Sequence, residues 1–365
     1  MSLHNTASAA PQIRPDLPAR VGGGNDQAEY RISVKGTDVS FPCHPDDTIL
    51  RAALRAGLGH PYECNSGGCG SCLFEPVRGE VLDHWPTAPG ISARSRSKGR
   101  RLACQASPRS DCTIGVRMQP HCIPPIAPVA QRATLESIVP LTRDMARFSF
   151  RADGPAAFIP GQYVLLHLPG VTGPRAYSMS NLPNENGTWE FIVKRTPGGK
   201  ATDALFSRTG IGDSCQIDGP YGMAHLRVDT PRTVVCIGGG SGLSPLMSIL
   251  ADVVRRPSFS AQRIHLFYGG RTPSDLCVND LLAADPLLGG RVQCVTAISD
   301  RSHFEEWNGE RGFIHEVVGR WIESGNDPTT CDFYFCGPPP MTGAVQRLLL
   351  EANVPHAQLH HDRFL

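Results

Sequence analysis

Apolar and polar residues begin to alternate at residue 30. Tyr30, Ile32 and Val34 are separated by Arg31 and Ser33, the period-two pattern of a half-buried strand. A Lys35-Gly36-Thr37-Asp38 turn leads to a second short strand over 39–41. Asp46, Asp47 and Thr48 then offer caps to a helix over 49–56, closed by Gly57. Residues 1–27 show no such period; rich in Ala, Pro, Gly and Asn, they are predicted to form a mobile tail.

A first domain therefore spans 28–118. Pro120, Pro124, Pro125 and Pro128 make 119–130 a stiff, extended linker that is not expected to join a core. Strands over 133–139, 146–150, 163–168 and 191–194 predict a small antiparallel barrel across 131–230. At Thr233 the pattern changes. A buried strand over 234–237 is followed by glycines and an apolar helix over 246–254. Strands over 264–268, 292–297 and 333–335 and a helix over 341–351 complete a parallel α/β domain, 231–365. The fold class is thus multidomain, α+β followed by α/β.

Composition adds limits. Apolar residues make up 40% and charged residues 19%, enough for several packed domains. A net charge of +1 gives no general affinity for polyanions, and no aromatic platform for nucleic acid accompanies the one basic run. Residues 233–254 hold a single charge, but Gly238, Gly239, Gly240, Gly242 and Pro245 interrupt them, so no membrane span is expected. Thirteen cysteines, an odd number, and no continuous apolar core in 1–24 predict reduced thiols in the cytoplasm.

Four of those cysteines carry a pattern. Cys64, Cys69 and Cys72 are spaced C-x4-C-x2-C, and Cys104 follows at a distance, the ligand spacing of a plant-type [2Fe–2S] cluster. Gly67, Gly68 and Gly70 permit a tight loop with N–H groups near the sulfurs. The competing reading is structural zinc. It lacks a second C-x2-C pair, because Arg101 and Ser107 occupy the positions flanking Cys104. Cys43, Cys112 and Cys122 lack the spacing.

Two further segments suit nucleotides. In Arg175-Ala176-Tyr177-Ser178 a guanidinium matches a pyrophosphate, a phenol packs on a flavin ring and a hydroxyl bonds a ring nitrogen. Gly199 and Thr202 stand at a predicted helix start where phosphate binds. An ordinary edge-strand turn would look similar. Gly238, Gly239, Gly240, Ser241 and Gly242 join a buried strand to a helix. They match neither G-x-G-x-x-G nor a P-loop, and they suit a pyrophosphate or a turn made only for packing. Cys336-Gly337 ends a second strand at the same edge, where ligands collect; Cys336 would meet a nicotinamide or fill a core. Phe364, next to the last residue, would shield a flavin face or dock into core. Arg94, Arg96, Lys98, Arg100 and Arg101 would steer an acidic redox partner or coat a solvated loop. His360 and His361 have no partner at metal spacing and read as structural.

These motifs in this order resemble the ferredoxin–NAD(P)H reductase components of bacterial multicomponent oxygenases. Pro61-Tyr62-Glu63-Cys64, Trp85-Pro86-x-Ala88-Pro89-Gly90 and Asp362-Arg363-Phe364 are most similar to toluene and phenol monooxygenase reductases. The resemblance implies a β-grasp ferredoxin domain, a six-stranded FAD barrel and a nucleotide domain. It implies that Cys64, Cys69, Cys72 and Cys104 hold the cluster, that Arg175, Tyr177, Ser178, Gly199 and Thr202 hold FAD, and that residues 238–242 with Cys336 and Gly337 receive NADH. Cys336, Ser178 and Phe364 would stand at the reacting centre. NADPH is the other donor considered, with Arg271 the residue to reach its extra phosphate. The expected partner is a di-iron hydroxylase or an intermediate Rieske ferredoxin. Reductases of Rieske dioxygenases resemble the chain almost as well. A deoxysugar dehydratase reductase and a redox sensor without turnover are further alternatives.

Overall fold

The computed structural model describes residues 29–362, which divide into two compact units. The first holds the chain up to Tyr62 together with Gly70–Pro128. The second holds Glu63–Cys69 and the chain from Val129 onward. The tail expected at 1–27 and Phe364 lie outside the described residues.

The first unit is a β-grasp. Its sheet runs in the order Ser40–Cys43, Tyr30–Val34, Cys112–Gly115, Leu73–Arg78, Arg101–Leu102. Tyr30–Val34 pairs antiparallel with Ser40–Cys43 and parallel with Cys112–Gly115. Ile49–Arg55 is helical because Thr48 accepts the Arg51 N–H at its start and Gly57, at φ 72°, ends it. Ile49, Leu50, Ala53 and Leu54 are fully buried, so this helix supplies much of the core of a small unit.

The proline-rich stretch departs from its expectation. Gln119 donates to the Gly59 carbonyl at 2.7 Å, Cys122 is buried in a short 3-10 turn, and the stretch stays with the first unit as far as Pro128. Proline stiffness favours an ordered path here, and a glycine at 59 allows the close approach. A Cβ there would stand 2.0 Å from the Gln119 carbonyl oxygen.

The second unit contains two sheets. One is antiparallel and barrel-like, in the order Arg175–Ser178, Tyr163–His167, Ser214–Tyr221, Val129–Pro140, Met145–Ala152, Thr188–Lys194. Phe148, Phe150, Trp189 and Phe191 fill it. The other is wholly parallel: Glu310–Arg311, Val292–Ile298, Ile264–Gly270, Thr233–Gly239, Cys331–Cys336, Leu359–His360. Its faces bury separate clusters. Val234 and Cys236 join the helix Leu243–Val253 on one side; Val235 and Ile237 join Ile314–Glu323 and Pro339–Glu351 on the other. Burial on both faces explains why this strand reads as an unbroken apolar run. The helix after the glycines starts at Leu243, three residues earlier than the sequence suggested, because Pro245 is tolerated in a first turn.

Candidate functional site

Positive φ angles at Asn65 (49°), Gly67 (86°) and Gly70 (82°) coil the cysteine loop. A Cβ at Gly70 would lie 2.4 Å from the Gly90 carbonyl oxygen, so this position must be glycine. Asn65 is buried, and both polar atoms of its side chain lack a partner. The Cys64 sulfur accepts N–H bonds from Ser66 and Cys69, each at 3.4 Å. The Cys69 thiol, with help from Ser66 and against the effect of burial, lowers Cys64 to about 5. Cys72 and Cys104 form a second pair, sulfurs 3.4 Å apart, and Gln105 Nε2 donates to Cys104 at 3.6 Å. A thiol beside a second thiol, and in the case of Cys64 one already favouring thiolate, is the donor chemistry that iron takes from cysteine. Cys112 is different: burial raises its thiol, which faces the Glu80 and Ser110 carbonyls.

Within the second unit, Tyr163 Oη donates to the Glu63 carbonyl at 2.5 Å. The backbone next to Cys64 is therefore fastened to a barrel strand that pairs with Arg175–Ser178.

Arg175–Ser178 is the edge strand of the barrel. The exposed Arg175 turns one nitrogen, Nη1, onto the carbonyls of Thr172, Gly173 and Pro174, leaving Nε and Nη2 for an anion. Burial pushes the Tyr177 phenol up to about 12, and its ring sits 6.4 Å from that of Phe191. Thr202 does less than the sequence suggested. Its hydroxyl is engaged with Thr196 N, Thr196 O and Gly199 O, closing the turn. What remains for a phosphate is the first-turn N–H groups of the helix Lys200–Ser207, whose N-cap is Gly199.

The glycine turn packs tightly. A Cβ at Gly242 would stand 2.0 Å from the Cys336 carbonyl oxygen, one at Gly238 2.7 Å from Leu246, and one at Gly337 2.7 Å from Met341. Packing thus explains these three. Gly240, at φ 56°, lies against the Lys194 side chain instead, and its carbonyl accepts from Tyr268 at 2.9 Å.

A small hollow joins the two nucleotide motifs. Ser178 and Cys336 both line it, with Gly161, Ala224, Tyr334 and Asp362. Burial, with Asp362 nearby, raises the Cys336 thiol to about 12, so it is a neutral thiol. Asp362 accepts the Met223 N–H at 3.2 Å, and burial lifts it to about 7 against that bond. His361 stacks on Phe335 at 4.4 Å and His360 on Tyr334 at 4.7 Å, the structural role expected of them.

Two residues that sequence reasoning passed over bind the halves of this site. Ser244 Oγ accepts the Ile192 N–H at 3.0 Å and donates to the Ser178 carbonyl at 2.7 Å. One turn on, Ser248 Oγ donates to the Asn181 carbonyl at 2.7 Å. Both serines are buried. The only signal was two serines four apart on a helix whose other residues are apolar except Asp252.

Residues 32–109 match a 2Fe-2S iron-sulfur cluster binding domain, 132–226 an oxidoreductase FAD-binding domain and 236–347 an oxidoreductase NAD-binding domain. Over 340 residues the chain is 40% identical to a ferredoxin–NAD(P)(+) reductase of Metapseudomonas resinovorans, covering 92% of this chain and 99% of that one. The chain belongs to the ferredoxin–NAD(P)+ reductases. It is an oxidoreductase built for a [2Fe–2S] cluster, FAD and a nicotinamide nucleotide. The reductase is also 40% identical to the ferredoxin–NAD(+) reductase component of an alkene monooxygenase system of Xanthobacter autotrophicus, covering 89% and 98%. The reductase component of phenol 2-monooxygenase from a Pseudomonas species is 31% identical, covering 92% and 94%. Among solved structures, a ferredoxin reductase in carbazole 1,9a-dioxygenase is similar, with a TM-score of 0.85, 37% identity and coverage of 92% and 98%.

Proposed function

We propose that this reductase takes electrons in pairs from NADH and delivers them singly to a monooxygenase, at its di-iron hydroxylase or at an intermediate ferredoxin. When bound, FAD supplies the change from two-electron to one-electron chemistry and the cluster supplies a single-electron carrier. The chain's own residues position these groups. Cys64 with Cys69, and Cys72 with Cys104, are assigned one pair to each iron. The Cys69 thiol first, and then Ser66 and the N–H groups of both residues, favour Cys64 as thiolate.

Arg175 and the helix start at Gly199 bind the flavin pyrophosphate, with Thr202 shaping that turn. Tyr177 and Ser178 hold the flavin ring. Residues 238–242 and Gly337 admit the NADH phosphates, and Cys336, a neutral thiol, contacts the nicotinamide. The observation that carries this reading is the hollow lined jointly by Ser178 and Cys336, which puts the flavin and nicotinamide motifs at one point.

A second reading, service to a ring-hydroxylating dioxygenase, is favoured by the likeness to the carbazole 1,9a-dioxygenase reductase. Among the described residues no helix is long and apolar enough to cross a membrane. A cytoplasmic setting fits thirteen free cysteines.

Anaerobic titration with NADH tests the proposal. The flavin absorbance is expected to bleach and the paramagnetic signal of a reduced cluster to follow, with steady reduction of cytochrome c in turnover. A redox sensor would bleach without passing electrons on at catalytic rates.

A further inference from the structure

Residues 92–101 of the first unit carry five cations and no carboxylate. Arg101 pairs with Asp83 at 3.3 Å. Among the described residues, Arg94, Arg96, Lys98 and Arg100 have no carboxylate partner. The helix Ala93–Ser97 buries none of its residues, so packing does not account for it. Yet both flanks are fastened to cysteine-bearing segments. Upstream, Gly90 is pressed against Gly70 of the coiled loop. Downstream, Arg101–Leu102 pairs with the start of Leu73–Arg78, and Ala103 donates to the Cys72 carbonyl at 3.0 Å just before Cys104. The His84 N–H donates to the Gln105 carbonyl at 2.8 Å, and the next residue, Trp85, is 42% exposed.

We infer that the exposed segment carrying Arg94, Lys98 and Arg100, together with Trp85, docks an acidic face of the electron-accepting protein. An exposed indole and a run of cations without carboxylate partners, both on segments bonded to residues at or beside Cys72 and Cys104, supply the anchor and the steering charge that such an interface uses. The chain as a whole is nearly neutral, so the excess is local. The inference deepens the reading of the cluster as outlet and rests on it.

The test uses the full-length holoprotein and two oxidised haem proteins, acidic cytochrome b5 and basic cytochrome c, followed by titration calorimetry. Cytochrome b5 is expected to bind at low salt and to weaken on the order of tenfold between about 20 and about 200 mM salt. R94E/K98E/R100E should weaken it on the order of tenfold at low salt without weakening cytochrome c, and R94Q/K98Q/R100Q should fall between. Trp85→Ala should weaken binding at both salt concentrations alike. Unchanged cytochrome b5 affinity in the charge-reversed protein overturns the inference, as does tighter binding of duplex DNA than of cytochrome b5. Anaerobic bleaching of the flavin by NADH is the separate control: it should be the same in every variant, and its absence from the wild type would defeat the electron-transfer reading instead.

Discussion

Ser244→Ala isolates the link between the flavin strand and the nucleotide helix. Alanine suits a helix at least as well as serine, so helix propensity is not lost. What goes is one hydroxyl serving two bonds, from the Ile192 N–H at 3.0 Å and to the Ser178 carbonyl at 2.7 Å. The site is buried, so water cannot replace it. Leaving the Ile192 N–H without a partner costs about 1–3 kcal/mol, and the second bond adds about 1 kcal/mol. A total of about 2–4 kcal/mol lowers the melting temperature of a unit this size by about 4–16 °C. The Ser178 backbone also loses its tether, and a shift of about 1 Å at a reacting centre can slow a reaction on the order of a hundredfold. Stopped-flow mixing with NADH without oxygen should therefore give flavin reduction at least about tenfold slower, with FAD content kept. Ser248→Ala, which frees only Asn181, should match part of the thermal loss and little of the rate loss. Wild-type melting and wild-type flavin reduction in Ser244→Ala would refute the argument.

Three other outcomes are expected. Cys64→Ala should abolish the iron–sulfur absorbance while NADH still bleaches the flavin; full-speed cytochrome c reduction by that variant would show that the cluster is not the outlet. Gly242→Ala places a methyl 2.0 Å from the Cys336 carbonyl oxygen, so the apparent KM for NADH should rise at least about tenfold with FAD retained, and an unchanged KM would remove this turn from the nucleotide path. His60 and His225 are both lowered to about 4, by burial in each case and for His225 also by Arg227. The unfolded chain protonates them near 6.5, so their contribution is complete above that pH and is lost as pH falls toward 4, at up to about 3 kcal/mol each. Urea midpoints should drop between pH 7.5 and 5, and less so in His225→Asn.

The sequence carried the parts whose chemistry is local. The Thr48 cap, Gly57 and the apolar run at Val234 each depend on a few neighbouring residues, and each is found where it was expected. The strand Ser214–Tyr221 was not expected, although it joins Tyr163–His167 to Val129–Pro140 at the middle of the antiparallel sheet. Its Gly219-Pro220 reads locally as a turn, and only two strands distant in sequence hold it extended. The proline-rich stretch misled for a related reason: stiffness says how a segment runs, while a glycine sixty residues away decides what it touches.

The candidate site divides along the same line. Ser178 and Cys336 were visible as motif residues, but that they line one hollow depends on Ser244 and Ser248, and a serine's hydroxyl carries no mark of its distant partner. Thr202 is the converse. It was legible as a phosphate hydroxyl, yet its own turn already uses that group. A motif states which atoms are available, and only the hydrogen bonds across the two sheets say which are still free. The tether at Ser244 therefore tests more of this site than any of the glycines beside it. Gly238, Gly242 and Gly337 have a packing reason to be small, whereas the buried hydroxyl answers only to the Ile192 and Ser178 backbone.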